Sequence, residues 1–393
     1  MTRHLFASLD LERFMPLEEM GISPLSASLH YGHAVFEGMS MIKNGDRLSV
    51  FHPWLNLERL RESASAVGME AEFTDDAVVE NVFRLAAMCG LHRKNARMPR
   101  IKRAGKFVGR FYVRPLLFSE STSLVRTAAS RTRLATMLQP MGEYVGDGAG
   151  IDVMVYPDPR VFPFPGARVS SNYQFSIQAK KRLTFFNILN GSECSEVLFT
   201  NGRGSLVEGG GESIILVRDN EFITPPPSEG VVPGISLRFI SLAARAHGFG
   251  FRFGTFTPND LAGADEVLLS GNASGLVPVR RVHEADAGFR SKRVHEISSR
   301  PGRTIRPVKE EYERMEIGEG PHSTFHAVMD DWVDGDEREV LYLRASDLLR
   351  KKKRNTLIIP PKVGEAAAAS GLCGKLSTSR LRSECFFSEM AGD

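Results

Sequence analysis

Short apolar runs separated by turn residues dominate the first third of the chain. The runs MSMI and LSVF flank the polar turn Gly45-Asp46, a pattern that predicts a β-hairpin. Apolar residues recur at helical spacing over 55–67, and residues 75–90 show a second helical pattern. The apolar run RFYVRPLLF at 110–118 then predicts a strand. This alternation of strands and helices indicates an α+β unit.

After residue 150 the strand patterns become denser. Residues 151–156 and 266–269 form apolar runs typical of buried strands. Asn201-Gly202 and Asp219-Asn220 each lie between two apolar runs and predict tight hairpins. The segment Pro233-Gly234-Ile235-Ser236 opens an amphipathic helix that extends to about residue 247, with Ser236 or a neighbour as its cap. The second half is therefore expected to be a larger, strand-rich α/β unit.

Turn-rich and charged stretches divide the chain. The segment QPMGEYVGDGAG at 139–150 predicts a linker between an N-terminal α+β domain at 1–138 and a C-terminal domain at 151–335. The tail at 336–393 contains RKKKR, an alanine run and many serines, and we expect it to be poorly ordered.

Two further segments read as insertions. The basic segment 92–106 is expected to loop out before the strand at 110–118, and 281–315 is expected to be an inserted loop. The second segment contains RVHE twice, at 281–284 and 293–296, but neither copy continues to HExxH, so we predict no metal site there.

Composition limits the classes of function. The 393 residues are 42% hydrophobic and 25% charged, which is normal for a soluble globular protein with a sizeable core. The net charge of +3 is too small to indicate nucleic acid or a membrane as the main partner. No apolar stretch approaches the ~20 residues of a membrane helix, and the charged N-terminus lacks the apolar core of a signal peptide. The four cysteines form no CxxC pair, so we expect a reducing, cytoplasmic location.

Seven short motifs stand out in a fixed order along the chain. They are SLHYGHAVFEGM (28–39), FHPWLNLERLRESA (51–64), FYVRPLLF (111–118), ARVSSNY (167–173), LVEGGGESI (206–214), VVPGIS (231–236) and ADEVLLSGNASGLVPV (264–279). Together they resemble the class IV pyridoxal-phosphate aminotransferases over roughly residues 1–335, and the branched-chain amino-acid type most closely. The resemblance implies the fold type IV class: an α+β N-terminal domain, a larger β-barrel-like α/β domain, and a homodimer in which both subunits contribute to each site.

The resemblance implies a cradle for the cofactor's phosphate. A helix N-terminus offers backbone N–H groups to a phosphate, and the arginine fork suits its geometry. An asparagine stands where the family has a threonine, and its side chain can still donate. The residues assigned to the phosphate are Arg59, Gly234, Ile235, Ser236, Asn272 and Ala273.

The cofactor's ring also needs a carboxylate, because its nitrogen must stay protonated for the ring to act as an electron sink. The resemblance assigns this role to Glu208, and the glycines at 209–211 let the backbone approach the ring. It also assigns Tyr173 to the cofactor.

Substrate recognition needs a cation for the α-carboxylate and an apolar pocket for the side chain. Arg114 matches the family's arginine for carboxylate handling, and an arginine among apolar strand residues requires a partner. Tyr31, Phe36 and Tyr112 match aromatic positions of the pocket, as does Tyr173. The implied substrates are an amino acid, branched-chain or otherwise apolar, and a 2-oxo acid.

Arg168 occupies the position of the family's catalytic lysine in the frame ARVSSNY. That lysine binds the cofactor covalently and moves the proton at Cα. Arginine stays protonated and has no nucleophilic nitrogen at neutral pH. Lys180 and Lys181 follow at least twelve residues later, on a predicted helix, and read as solvated surface.

Three hypotheses follow. The chain transfers amino groups with pyridoxal phosphate held non-covalently, and Arg168 binds phosphate or a substrate carboxylate. Alternatively, it is a non-transaminating homologue that binds another anionic ligand in the same cleft or acts as a regulatory or assembly partner. In the third, it is a binding module kept for its dimer surface.

Overall fold

Two nine-stranded sheets organise the residues that the structure describes, and the break between them falls between Pro140 and Ile151. The computed structural model describes residues 5–93, 96, 98–121, 130–143, 150–297, 302–319 and 326–329. The predicted tail at 336–393 lies outside these residues. Both sheets mix with helices, so the chain has the α/β class expected for it.

The first sheet contains the N-terminal strands and one strand from the end of the described chain. Its strands are β1 (Phe6–Leu9), β2 (Arg13–Pro16), β3 (Ala34–Phe36), β4 (Met39–Asn44), β5 (Arg47–Phe51), β6 (Arg100–Arg103), β7 (Lys106–Ser121), β8 (Ser130–Pro140) and β18 (His326–Met329). They run in the order β18-β5-β4-β7-β8-β1-β2, and β3 and β6 also pair with β7. The hairpin at Gly45 is confirmed, as is the strand at 110–118, which lies within β7.

Three helices accompany this sheet: α1 (Ala27–Tyr31), α2 (Pro53–Ala66) and α3 (Asp75–Met88). The two longer ones confirm the helices predicted at 55–67 and 75–90. Leu57 and Leu60 of α2 and Val82 of α3 are buried in one cluster with strand residues such as Val113. The apolar spacing of these helices therefore provides the face that covers the sheet.

The second sheet closes on itself. Its strands are β9 (Ile151–Val155), β10 (Cys194–Thr200), β11 (Leu206–Gly209), β12 (Ser213–Arg218), β13 (Glu221–Thr224), β14 (Gly250–Phe253), β15 (Glu266–Gly271), β16 (Gly275–Ala285) and β17 (Ser291–Glu296). Strands β11, β10, β9, β16, β15 and β12 pair in sequence, and β11 also pairs with β12, which makes a closed barrel-like sheet. Strands β13 and β14 extend it beyond β12, and β17 pairs with β16. Both predicted hairpins are confirmed.

Helices α4 (Gln174–Asn190), α5 (Ile235–Ala246) and α6 (Ile305–Glu316) accompany the second sheet. Phe239 of α5 and Val308 of α6 are buried in one cluster with Phe222 and Leu268 of the strands. Within the described residues, no helix is long and apolar enough to cross a membrane.

The expectation of loops at 92–106 and 281–315 is wrong. The first segment contains β6, which joins β7 through Ala104 and Gly105, both at positive φ. The second contains the end of β16, the strand β17 and most of α6. Strand β6 alternates exposed charges with buried residues, β17 buries only His295 among mostly exposed residues, and α6 buries one face of an otherwise polar helix, so the high charge concealed these elements.

Strand β18 belongs to the first sheet although it follows the second in sequence. Residues His326–Met329 pair antiparallel with β5 at the edge of that sheet. The predicted limits of the C-terminal domain, 151–335, include this strand. Those domain limits stay a prediction, but the return of β18 is a direct connection between the two halves.

Candidate active site

The N-terminus of α5 lies open to an anion. Gly234 is the N-cap, and no side chain caps the helix. The first backbone N–H groups of a helix lack partners within it, and they lie at the positive end of its dipole. A Cβ on Gly234 would lie 2.5 Å from Ser213 Oγ, so a larger residue here would require the serine side chain to move. Arg59 reaches the same place, because its Nη1 donates to Pro233 O at 2.6 Å.

Arg59 is fixed by a carboxylate that the sequence analysis missed. Its Nε and Nη2 donate to Oε1 and Oε2 of Glu37 at 2.6 and 2.9 Å, and Glu37 is fully buried. A bidentate pair of this kind sets the orientation of both side chains. The only sequence signal for Glu37 is its place beside Phe36 in the motif YGHAVFEGM.

The turn from Asn272 to Ser274 lies beside α5. The Asn272 amide donates to Gly38 O at 2.7 Å and to Asn56 Oδ1 at 2.9 Å, and its Oδ1 accepts from Ser236 Oγ at 2.9 Å. An amide nitrogen has two hydrogens, and both are therefore committed. The Asn272 side chain holds the turn against the first sheet, which leaves the backbone N–H groups for an anion.

Glu208 is held by an arginine that was also missed. Arg160 Nη1 donates to Glu208 Oε1 at 2.6 Å, and both residues are buried. Burial raises the pKa of Glu208, and the Arg160 guanidinium opposes that rise. Arg160 Nη2 also donates to Asn172 O at 3.1 Å, which ties the segment after Arg168 to this carboxylate. The sequence signal is a lone arginine within the apolar run VYPDPRVFPF.

Three predicted aromatic residues and Arg114 converge. The rings of Phe36 and Tyr173 lie 5.0 Å apart. The Arg114 guanidinium lies 4.3 Å from the centroid of Phe36 and 5.1 Å from that of Tyr112. Gly38 provides the space for Tyr112, since a Cβ there would lie 1.6 Å from the tyrosine hydroxyl. These stacked guanidinium–ring contacts are favourable cation–π arrangements.

Arg168 lies among these residues. Its guanidinium is 5.1 Å from the Phe36 centroid and 5.8 Å from that of Tyr173, and its Nε lies 3.7 Å from Glu37 Oε1. Burial acts to lower the pKa of Arg168, but Tyr173 and Glu37 outweigh it and raise that pKa above its usual value. The guanidinium is therefore permanently charged. Its Nε–H has no hydrogen-bond acceptor among the described residues.

Lys180 is engaged elsewhere. Its Nζ lies 2.6 Å from Glu196 Oε2. The pair lies against the glycine turn after Glu208, because a Cβ on Gly210 would meet Lys180 Cε at 2.8 Å. Lys180 therefore supports this turn from outside.

Tyr31 differs from the other predicted aromatic residues. It is 47% exposed at the end of α1, and its ring packs against His30. Its role in the pocket stays a prediction. Around Arg168 and the start of α5, the structure brings together the other predicted residues, namely Phe36, Arg59, Tyr112, Arg114, Tyr173, Glu208, Gly234, Ile235, Ser236, Asn272 and Ala273.

No group of three or more metal-ligating side chains exists in the part of the chain that the structure describes. The charged groups of the site instead form guanidinium–carboxylate pairs. An arrangement of this kind suits an anionic organic ligand with a ring and a phosphate or carboxylate group.

The chain is similar in sequence to proteins of known function. The chain is 29% identical to branched-chain-amino-acid aminotransferase 3, chloroplastic, of Arabidopsis thaliana over 70% of this chain and 64% of that protein. It is 28% identical to the branched-chain-amino-acid aminotransferase of Escherichia coli K12, over 69% and 83% of the two chains.

Solved structures share the fold. The branched-chain aminotransferase of Thermoproteus uzoniensis with norvaline matches with a TM-score of 0.69 at 24% identity, over 82% of this chain and 98% of that one. The branched-chain amino acid aminotransferase of Thermobaculum terrenum in its PLP form matches with a TM-score of 0.67 at 19% identity, over 83% and 99%. The family described as Amino-transferase class IV matches residues 34–282, more than half of the chain. The chain therefore belongs to the class IV aminotransferases and has their fold type IV architecture.

Proposed function

We propose that this protein binds pyridoxal 5'-phosphate non-covalently and slowly transfers an amino group between a branched-chain or other apolar amino acid and a 2-oxo acid. The observation that carries the proposal is that one site contains both a retained, buried carboxylate, Glu208, and a charged arginine, Arg168, in the lysine position. The first favours a protonated ring nitrogen, and the second removes the covalent anchor.

The residues of the site fit the cofactor's charged ends. The uncapped start of α5, the turn at Asn272 and the Arg59 guanidinium would hold the phosphate, and Glu208 would face the ring nitrogen. Pyridoxal phosphate supplies an electron sink for the bonds at the amino acid's α-carbon. Phe36, Tyr112 and Tyr173 provide the apolar surface that favours an apolar substrate side chain.

Arg168 limits the rate in this proposal. It cannot accept a proton from Cα, because its pKa lies above even the usual high value of arginine. Burial also raises the pKa of Tyr173, so its phenol stays protonated at neutral pH and is not a base. Without a positioned base, a loss of roughly two to four powers of ten in rate is expected. The free Nε–H of Arg168 would instead bind a carboxylate or phosphate oxygen.

One alternative has a specific observation in its favour. Arg59, Arg114 and Arg168 surround Phe36 and Glu37. Among the described residues, Glu37 is the carboxylate that lies between these arginines. Arg59 already holds it through two hydrogen bonds. This excess of positive charge would suit a non-transaminating homologue that binds another organic anion. The Glu208–Arg160 pair supports the cofactor instead, since an unrelated anion gains nothing from a carboxylate.

We also propose a homodimer. Leu25, Leu29 and Tyr31 expose 40%, 62% and 47% of their surface around α1, and an adjacent group of exposed apolar side chains favours a protein contact. Light scattering on the purified protein tests this: a monomer at micromolar concentration would exclude the dimer. A cytoplasmic location remains a proposal from the cysteine content.

Spectroscopy tests the function directly. Pyridoxal phosphate is added to the purified full chain, near-ultraviolet absorbance is recorded, and half of the sample is reduced with borohydride before dialysis and mass spectrometry. We expect bound cofactor that dialysis removes from both halves. A lysine adduct in the reduced half would contradict the non-covalent proposal, and no bound cofactor at all would favour the alternative. With bound cofactor, amino transfer from leucine and other apolar amino acids to 2-oxo acids then measures the activity.

A further inference from the structure

Arg110 of β7 is the largest fully buried side chain among the described residues. Its Nη2 donates to Asn272 O at 2.7 Å, to Ala273 O at 2.8 Å and to Ser40 Oγ at 3.2 Å. Its Nε and Nη1 have no hydrogen-bond partner in the part of the chain that the structure describes. A cation from the first sheet thus lies directly behind the turn that follows β15 in the second.

No carboxylate among the described residues forms an ion pair with Arg110. Glu316 and Glu143 are the acidic groups that influence it most, but both hydrogen-bond to Arg103, at 2.6 and 2.9 Å. Burial lowers the pKa of Arg110, which shows that the charged form is poorly solvated. A buried, unpaired cation is costly, and a nearby anion would relieve that cost.

The peptide geometry connects Arg110 to the anion site. The peptide units after Asn272 and Ala273 direct their carbonyls at the guanidinium, and no peptide bond in the described residues is cis. In a planar trans peptide the N–H points opposite to the C=O. The N–H groups of Ala273 and Ser274 therefore point away from Arg110. The same turn contacts the start of α5 through Ser236 and Asn272.

We infer that Arg110 is a positioning residue for a phosphate monoester: it orients two backbone N–H groups towards the phosphate through the 272–274 turn and supplies a buried counter-charge behind them. This inference rests on the proposed function for the identity of the ligand, but its physical content concerns the phosphate alone. In the alternative, Arg110 merely joins the two sheets, and its loss would weaken the fold without any preference for phosphate.

Paired ligands separate the two roles. Dissociation constants for pyridoxal phosphate and for pyridoxal, which lacks the phosphate, are measured by titration of the full chain and of Arg110→Met, Arg110→Lys and Arg133→Met. Arg133 is the matched control, because it is a buried strand arginine in the same sheet whose partners are Asp10 and Glu120. Inorganic phosphate is a third probe, followed through its effect on Tm.

For Arg110→Met we expect about tenfold or greater loss of affinity for pyridoxal phosphate, with pyridoxal changed by less than about twofold. Arg110→Lys should recover part of the loss, because it restores the charge but not the fork. Arg133→Met should leave the ratio of the two constants unchanged.

Equal weakening of both ligands in Arg110→Met would overturn the inference in favour of a structural role. If Arg110→Met does not fold, Arg110→Lys takes its place. An unchanged ratio of the dissociation constants for pyridoxal phosphate and pyridoxal in Arg110→Lys then overturns the inference equally. The proposed function fails separately. If neither aromatic ligand binds the unaltered chain while phosphate raises its Tm, and Arg110→Lys reduces that increase, the inference stands without the cofactor. If phosphate stabilises both chains equally, the inference falls.

Discussion

Arg168 Nε lies 3.7 Å from Oε1 of Glu37, a carboxylate that already accepts two hydrogen bonds from Arg59. One buried carboxylate thus serves a buried guanidinium, that of Arg59, and a partly buried one, that of Arg168. Glu37 and the rings of Phe36 and Tyr173 compensate for the charge of Arg168, which under the proposed function stands at the position of the family's lysine.

Replacing Arg168 tests the proposal that the site lacks a covalent anchor for the cofactor. We expect Arg168→Lys to form a lysine adduct with pyridoxal phosphate after borohydride reduction, because it places a primary amine where the proposed function locates the family's lysine. Mass spectrometry of tryptic peptides would locate the adduct at position 168. The amino-transfer rate should rise by roughly tenfold or more if the other groups are in place.

A matched variant makes this prediction specific. Arg114→Lys introduces an amine against the same Phe36 ring but outside the lysine position. An equal adduct yield in Arg114→Lys would mean that any amine in the cleft reacts. If Arg168→Lys binds the cofactor no differently from the unaltered chain, the rest of the site has diverged as well.

Removing the charge of Glu37 should destabilise the protein. Glu37→Gln leaves Arg59 and Arg168 without their shared counter-charge in a buried site, which we expect to lower the free energy of unfolding by about 3–5 kcal/mol. Glu221→Gln is the control: its pair with Arg252 is about half exposed on both sides and should contribute at most about 1 kcal/mol. Urea unfolding measures both, and equal effects would argue against a buried charge pair.

Stability should fall as the pH rises towards 8. Burial, and then the neighbouring Glu196 carboxylate, raise the pKa of Glu212 from 4.5 to about 8. Between these values the folded chain retains a proton that the unfolded chain releases, so the free energy of unfolding decreases with rising pH. The contribution of the Glu212 proton to the free energy of unfolding is fully present below pH 4.5 and is lost as the pH rises through about 8.

The variant Glu212→Gln keeps a neutral side chain and should flatten this part of the pH profile of Tm. Glu310→Gln, at an exposed position on α6, should leave the profile unchanged. A profile of identical slope in Glu212→Gln and the unaltered chain would assign the proton to another group.

Gly38 should not tolerate a methyl group. In Gly38→Ala the new Cβ would lie 1.6 Å from the Tyr112 hydroxyl, so the ring must move. Overpacking of this kind typically costs about 1–3 kcal/mol, and displacement of Tyr112 should also weaken its contact with Arg114. Gly202→Ala has no atom within 4 Å of the added Cβ and serves as control. Unfolding curves that coincide for the two variants would disprove the clash.

Local patterns predicted the elements whose residues carry their own signal. Helix α2 and the hairpins at Gly45 and Asn201 follow from apolar spacing and turn chemistry. The prediction failed for strand β6, because its buried Arg103 looks like a surface charge in the sequence. That burial depends on Glu316, which is 213 residues away in sequence, and no local pattern contains this information.

The residues of the site also differ in whether a local sequence pattern or a distant contact reveals them. Glu208 and Gly234 were predicted as site residues because they lie in dense motifs, whereas the contacts of Glu37, Arg110 and Arg160 are made only with distant parts of the chain. Arg110 meets the carbonyls of residues more than 160 positions later. In sequence it is one more charged residue at the start of an apolar strand, and only its complete burial marks it.

Strand β18 has a consequence for how the protein is made. Its residues follow the barrel in sequence, yet they pair with β5 and cover an edge of the sheet that is synthesised first. On the ribosome, β5 can pair with β4, but its outer edge stays unpaired until residue 329 emerges, and an open edge strand invites pairing with other chains. A fragment that stops before this strand should therefore aggregate rather than behave as an independent half.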